Sequence, residues 1–292
     1  MNKGVLLAIA SALVFSAMNA LVKAASLTIP SAEIVFFRSI IGTCLVLFLM
    51  FQARVTFSNQ GVPLLVLRGV FGALYLLAFV YTIAHIPLAD AAILAYLSPF
   101  FVIVLSNLVL GERLPTKAKL LLPMILVGVA LVIDPFGFSA FNIYALAGIA
   151  SAIFAAGASI TIKQLSKNHH TYEIIFYFLA TATVISAVLM KDTFVMPQGI
   201  TWLYLVAIGV VSLLGQIFLT KAFTHENTGV VAVTRYIGLA FNILWGVIFW
   251  NEIPDWLTAL GGTVIVISCV LLSWPSKDRK QTNKVAQPEN AA

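Results

Sequence analysis

Charge is scarce in this sequence of 292 residues: charged side chains make up 10% of it and hydrophobic ones 61%. A soluble domain carries roughly a quarter of charged residues, so this chain cannot build an ordinary water-facing surface. The mean hydropathy is +1.03. The surplus of apolar side chains must therefore face lipid, and the composition predicts a membrane protein.

Cysteine and the motifs of enzyme chemistry are equally scarce. The two cysteines, Cys44 and Cys269, fall in apolar runs, which supports neither a disulfide framework nor a zinc site. The sequence has no phosphate-binding glycine loop, nucleophile elbow or zinc motif. We therefore expect no enzyme, no ATP-driven pump, no cofactor and no metal. The net charge of +6 does not indicate nucleic acid, because the basic residues lie mainly in short gaps between apolar runs and in the tail.

What the sequence does contain is ten apolar runs of the length, or nearly the length, that crosses a bilayer. They lie at 5–22, 34–51, 64–84, 88–110, 118–135, 143–162, 172–190, 201–221, 228–250 and 256–274. Because the hydrocarbon offers no water to backbone groups, each run must be a helix. The first run is longer than a usual signal-peptide core, so we take it as the first span. The predicted fold class is an all-α membrane protein with ten transmembrane helices.

Lysine and arginine predict the orientation of these spans in the inner (plasma) membrane. If the N-terminus is cytoplasmic, the inner loops and tail carry most of the cations, namely Lys3, Arg54, Arg113, Lys117, Lys119, Lys167, Lys277, Arg279, Lys280 and Lys284. The outer loops carry little more than Lys23 and Lys191. Both termini are therefore expected in the cytoplasm. The polar segment 276–292 is expected to be a disordered cytoplasmic tail.

The sequence also repeats itself at one ungapped offset of 140 residues. Rare residue types coincide under this shift, among them Lys23 with Lys163, Glu33 with Glu173, His85 with His225, Tyr96 with Tyr236, Glu112 with Glu252, and Pro135 with Pro275. Each half has five spans, an odd number, so the second half must enter the membrane in the opposite direction. Inverted repeats of this kind are typical of secondary transporters. A repeat kept only for folding is the alternative, and few other membrane classes use this plan.

Several segments carry a family resemblance. Asn19 and Lys23 are followed by the residues EIVFFR at 33–38, the fourth span reads AAILAYLSPF at 91–100, and LGER follows at 110–113. These segments resemble the EamA family of the drug/metabolite transporter superfamily, as two five-helix repeats at 4–136 and 144–275. Residues 67–69 and 87–91 most resemble the solute carrier 35G-like branch.

The resemblance implies ten helices, a central cavity lined by the first four helices of each half, and peripheral fifth helices. It also implies export or exchange of amino acids, nucleotide-linked compounds or organic anions. The two halves differ at two of these positions. The repeat mate of Pro99 in the fourth span is Leu239, and the repeat mate of Arg38 in the second span is Phe178.

Arginines inside the spans are the main candidate substrate-binding residues. A cation at the bilayer centre costs roughly 3 kcal/mol or more. Arg38 lies ~9 Å and Arg235 ~10 Å from the nearer end of its span, at 1.5 Å per residue. Arg68 lies near the inner end of the third span, where its side chain either lines the cavity or reaches the headgroups. An ion pair between helices, or between Arg38 and Glu33, is the alternative to a cavity role.

No acidic residue lies in the middle of a span; the glutamates and aspartates lie at or near span ends. A carrier of cationic drugs usually needs a buried carboxylate. Buried arginines without one indicate an anionic or zwitterionic small-molecule substrate, since the guanidinium is a planar, permanently charged fork for carboxylate or phosphate. A cationic multidrug exporter and a lipid-linked flippase remain the alternatives. Protons are a candidate coupling ion, and the oligomeric state is not predicted.

Polar and aromatic residues complete the predicted site. Asn19, Tyr75, Gln216 and Asn242 lie on polar helix faces that either line a cavity or bond neighbouring helices. Tyr96 and Tyr236 are repeat mates, and aromatic side chains often line ligand sites. Pro99 removes a backbone hydrogen bond to Ala95, so we expect it to kink the fourth span and to free a carbonyl for substrate or flexing.

Overall fold

The computed structural model describes residues 3–98, 100–102, 104–105, 118–133, 143–226, 230–231 and 234–273. The described part of the chain is all-α, as predicted, and ten of its helices have defined bounds: α1 Lys3–Ala25, α2 Ser31–Gln52, α3 Val62–His85, α4 Leu88–Ala95, α5 Ala118–Ile133, α6 Ile143–Leu165, α7 Thr171–Met190, α8 Ile200–His225, α9 Ile237–Trp250 and α10 Trp256–Ser273. The predicted tail at 276–292, Glu112 and Pro99 lie outside the described residues.

Six of the ten helices are long and apolar enough to cross a membrane: α1, α2, α3, α6, α7 and α8. Each has at least 18 residues and a strongly apolar window. The other helices that the structure describes are shorter or less continuous. The chain is therefore a multi-pass helical membrane protein, and the sequence placed a span over each of these six helices.

Local sequence explains where several helices begin and end. Pro30 and Pro87 stand at the N-caps of α2 and α4, where the missing proline N–H costs no helical hydrogen bond. Gly61 before α3 has a left-handed φ of 68°, which glycine adopts without a steric cost. Asn251 ends α9 with a φ of 55°, and asparagine is the residue after glycine that most often adopts this conformation.

The helices pack in a pattern that is unchanged when the two halves are exchanged. α1 packs on α8, and its repeat mate α6 packs on α3, the mate of α8. α2 packs on its own mate α7, α4 on α9, and α5 on α10. The 140-residue offset read from the sequence therefore has a counterpart in tertiary structure, with the helices of each half buried against those of the other.

Two repeat-related glycines allow this close packing. A Cβ at Gly69 of α3 would meet Thr181 Oγ1 of α7 and lie 2.8 Å from the Tyr177 carbonyl oxygen. A Cβ at Gly209 of α8 would lie 2.6 Å from Cγ2 of Ile41 on α2. Ile41 and Thr181 are themselves repeat mates. Small residues let the backbones of membrane helices approach closely. Gly69 and Gly209 allow such an approach at equivalent positions of the two halves.

The repeated lysines hold helix ends in equivalent ways. Lys23 donates to the carbonyl of Ile86 at 2.8 Å, and Lys163 donates to the carbonyl of Glu226, the mate of Ile86, at 2.9 Å. Lys23 also pairs with Glu252 at 2.9 Å. The Leu88 N–H donates to the same carboxylate at 2.8 Å. Lys23 is therefore a structural residue rather than a free loop cation.

The repeated glutamates at the starts of α2 and α7 bind the loop of the other half. Glu33 accepts a hydrogen bond from the Val195 N–H at 2.9 Å, in the segment before α8. Glu173 accepts one from the Ser58 N–H at 2.7 Å, in the segment before α3. Each glutamate thus ties one half to the other. The rare residues that revealed the repeat are largely residues that assemble it.

Candidate functional site

A central cavity of about 70 Å³ lies between the two halves. Its described lining comes from α1, α2, α3, α4 and the turn after it in the first half, and from α6, α7, α8, α9 and the turn before it in the second. This is the arrangement that the family resemblance implies. This volume is smaller than the roughly 150 Å³ of an engineered cavity that binds benzene, so a larger metabolite would need additional space.

The structure brings eight of the nine predicted substrate-binding residues to this cavity. They are Asn19, Arg38, Arg68, Tyr75, Tyr96, Gln216, Arg235 and Asn242. Tyr236 is the ninth and lies behind Tyr96 instead. Residues more than 220 positions apart in sequence are neighbours here, because helices of the two halves interleave.

The three arginines lie against aromatic rings. The guanidinium carbons of Arg38 and Arg68 are 5.9 Å and 4.7 Å from the ring centre of Phe178, and that of Arg235 is 5.9 Å from the ring centre of Phe15. Arg38 and Arg68 are 1% and 3% exposed, so Arg68 does not reach the headgroups. A cation over an aromatic face is attracted by its quadrupole.

These guanidinium groups keep unused hydrogen-bond donors. Nε and Nη1 of both Arg38 and Arg68, and Nε of Arg235, are buried with no partner. The ion pair between Arg38 and Glu33, considered from the sequence, does not form, because Glu33 binds the Val195 N–H instead. The cavity lining contains no aspartate or glutamate among the residues that the structure describes. The site therefore has an excess of positive charge and of hydrogen-bond donors.

Gly72 of α3 makes room for the first arginine cluster. A Cβ at this position would meet Nη1 of Arg68 and Cδ2 of Phe178. We expect Gly72→Ala to displace one of these groups at an overpacking cost of about 1–3 kcal/mol, and to reduce transport about tenfold. Initial rates in vesicles measure the effect. Gly246→Ala is the matched control, since its Cβ would meet nothing closer than 3.4 Å; equal losses in both variants would contradict the prediction.

The fourth and ninth predicted spans are each interrupted at a tyrosine. α4 ends at Ala95 with a turn at residues 96–97, and a turn at residues 235–236 precedes α9. The sequence predicted continuous spans with a kink at Pro99. The mate of Pro99 is Leu239, which has an N–H, so the proline is not the sole cause of the paired breaks. Discontinuous helices of this kind border substrate sites in transporters.

The two tyrosines at these breaks contact each other. The Tyr236 hydroxyl donates to the Tyr96 carbonyl oxygen at 2.9 Å, and their ring centres are 5.2 Å apart. The Tyr96 carbonyl oxygen at the break is thus bound by protein. The expectation that Pro99 frees the Ala95 carbonyl for substrate stays a prediction. A Cβ at Gly238 would meet the Tyr96 hydroxyl. Tyr236 therefore positions Tyr96, which lines the cavity.

Amide side chains supply a second kind of polar group. Asn19 Nδ2 donates to Asn242 Oδ1 at 3.1 Å, and Asn242 Nδ2 donates to the Gly238 carbonyl at 2.8 Å. The first bond joins α1 to α9 and the second lies within α9, so both predicted uses of these residues, cavity lining and helix bonding, occur together. Asn19 Oδ1 and Gln216 Oε1 are buried without a partner. They are two acceptors available to N–H groups of a ligand.

Sequence reasoning missed the aromatic partners of the arginines. Phe178 and Phe15 both line the cavity, and neither was among the predicted site residues of a chain with 21 phenylalanines. One signal existed for Phe178, because it is the repeat mate of Arg38 and the halves differ there. Ser159, the repeat mate of Asn19, also lines the cavity and could have been found by the same comparison.

Comparison with known proteins agrees with this architecture. The pseudopaline exporter CntI of Pseudomonas aeruginosa is 57% identical over 278 residues, covering 95% of this chain and 98% of the relative. Human solute carrier family 35 member G1 is 29% identical over 221 residues, or 70% of this chain and 60% of the relative. A solved crystal structure with 22% identity superposes with a TM-score of 0.65 over 97% of this chain and 99% of the other.

The model of the EamA-like transporter family matches twice, at residues 2–134 and 142–274. The two matches cover both halves of the helical bundle, and they agree with the resemblance noted in the sequence. The relatives bear the names of transporters, and the chain is a transporter rather than an enzyme. This chain belongs to the EamA-like transporter family.

Proposed function

We propose that this chain is a secondary transporter that exports or exchanges a small organic anion, or an amino-acid-like solute that carries a carboxylate. One observation carries the proposal: three arginines with unpaired donors face a cavity whose described lining has no carboxylate. An unpaired charge is costly away from water, so a bound anion would be strongly favoured there. The buried acceptors Asn19 Oδ1 and Gln216 Oε1 suit an N–H group on the same ligand.

Export as the direction of transport is supported by similarity. The relatives that are 57% identical over nearly their whole length are named pseudopaline exporters. We therefore propose that this chain, too, exports a metabolite. The sequence alone left the direction of transport open.

The proposed topology is ten spans in two inverted halves of five, with both termini in the cytoplasm. The support is the exchange-symmetric helix packing, the odd number of helices in each half and the lysine and arginine bias of the loops. Lys23 was one of the few cations assigned to the outer loops. Its charge is paired with Glu252, so it does not weaken the excess of positive charge in the inner loops. The halves would rock about the central cavity to admit substrate from one side and then the other, driven by the substrate gradient or by proton exchange.

Counterflow in proteoliposomes tests the proposed substrate class. Vesicles with purified protein are preloaded with an unlabelled compound, and uptake of its labelled form is followed. We expect accumulation with carboxylates such as glutamate and citrate, since the cavity is cationic, and none with tetraethylammonium. Protein-free vesicles are the control. Accumulation of tetraethylammonium alone would favour the cationic drug exporter, and transbilayer movement of a fluorescent lipid alone would favour the flippase.

A further inference from the structure

We infer that the cavity binds a ligand with two separate acid groups, one held by Arg38 and Arg68 and the other by Arg235. This rests on the proposed transport of an anion and narrows it, because an ordinary amino acid with one carboxylate would occupy only half of such a site. The inference follows from the aromatic rings on which the arginines pack, from their unpaired hydrogen-bond donors and from the charge of the cavity lining.

The first anion subsite is built on one ring. Arg38 of α2 and Arg68 of α3 approach Phe178 of α7, with guanidinium carbons 5.9 Å and 4.7 Å from the ring centre. The two guanidinium carbons are therefore no farther apart than the sum of these distances, and both arginines line the cavity. Contact with the ring leaves the N–H groups free to donate, and two nitrogens of each arginine have no partner. Each arginine can therefore donate to an acid group bound beside this ring.

The second anion subsite uses other helices. Arg235, in the turn before α9, lies over Phe15 of α1 at 5.9 Å. Phe15 is in turn fixed by α8, where a Cβ at Gly215 would lie 2.9 Å from its Cε1. None of these three elements contributes to the first subsite. The first arginine cluster thus rests on a ring from the second half, and Arg235 rests on a ring from the first half.

Charge indicates that both subsites are occupied together. Three cations face one small cavity, and no carboxylate is found among the side chains that the structure describes around it. Like charges repel strongly where the effective dielectric constant is low. A ligand with a single acid group leaves Arg235 or the Arg38–Arg68 pair without a counter-charge. A diacid balances both, and its length must match the gap between the two rings.

The test uses matched pairs of ligands that differ by one charge. Malonate, succinate, glutarate, adipate and pimelate, each with its monomethyl ester, compete for counterflow by reconstituted protein. We expect the best diacid to compete at least about 30-fold better than its monoester, since removal of one partner of a buried charge pair costs at least that factor. In Arg235→Gln the advantage of the diacid over its monoester should vanish, because the second acid group loses its charged partner.

Controls separate this inference from the proposed function. Lys191→Gln, an exposed loop cation, should keep the wild-type preference, and thermal melts in detergent establish that each variant is folded. Arg235→Lys, which keeps the charge but not the fork, should retain part of the preference. Equal competition by diacids and monoesters in wild type would overturn the two-subsite inference and leave anion transport intact. Competition by neither, with uptake of tetraethylammonium, would overturn both.

Discussion

Alanine in place of Arg235 is expected to lower carboxylate transport at least about 30-fold, the largest functional effect of any single substitution proposed for this chain. Arg235 supplies the cation that the second half contributes to the cavity lining described above, and its Nε is buried without a partner. Its removal leaves the acid group bound beside it in a poorly solvated cavity without its counter-charge. Initial rates of labelled carboxylate uptake in proteoliposomes measure the loss.

Folding is not expected to limit the Arg235→Ala variant. The repeat mate of Arg235 is Ala95, so the first half already accommodates alanine at the equivalent position. Removal of a cation that is buried without a carboxylate partner also relieves a desolvation cost. Lys191→Ala serves as the control for a general change of charge. Wild-type transport by folded Arg235→Ala would remove the basis of the anion assignment.

Glutamine in place of Glu252 is expected to produce the largest loss of stability, roughly 3–5 kcal/mol for breaking one side of a buried ion pair. The pair with Lys23 is 2.9 Å long, and the side chains are only 10% and 19% exposed. The same carboxylate accepts the Leu88 N–H and so caps the start of α4. The substitution leaves the Lys23 ammonium with its hydrogen bond to the Ile86 carbonyl but without the charge of Glu252. Thermal melts in detergent measure the loss.

A double-mutant cycle isolates the pair. Lys23→Met with Glu252→Gln removes both charges, and we expect the double variant to be more stable than Glu252→Gln alone, because no ammonium remains buried without its partner. Lys167→Met, at an exposed loop lysine, is the control and should change stability by less than about 0.5 kcal/mol. Additive losses from the two single substitutions would show that the two charges do not stabilise each other.

The sequence predicted the positions of the chemical groups better than their contacts. Arg38 and Arg235 were identified from depth in an apolar run, and both face the cavity. Their aromatic supports Phe178 and Phe15 were not predicted, since a phenylalanine in a membrane span carries no signal of its partner. The placement of Arg68 was also open, because only packing on α7 decides whether a long side chain turns inward or toward headgroups.

The tyrosine pair also shows that the sequence predicts which residues matter better than what they contact. Repeat symmetry singled out Tyr96 and Tyr236 as equivalent, yet the structure uses them differently, since Tyr96 lines the cavity and Tyr236 donates to its carbonyl. The expected effect of Pro99 was a kink within one span. A break occurs in each half, also where Leu239 stands in place of the proline, and Pro99 itself lies outside the described residues.

By itself the sequence determined that this protein is helical, lies in a membrane, repeats at an offset of 140 residues and keeps arginine but no acid in the middle of its spans. These properties follow from composition, run length and self-comparison, each of which is local or periodic along the chain. Only the tertiary structure decided that two arginines share the ring of Phe178 and that a third lies over Phe15. Such contacts join helices of opposite halves, and their geometry depends on close interhelical packing that no local pattern encodes.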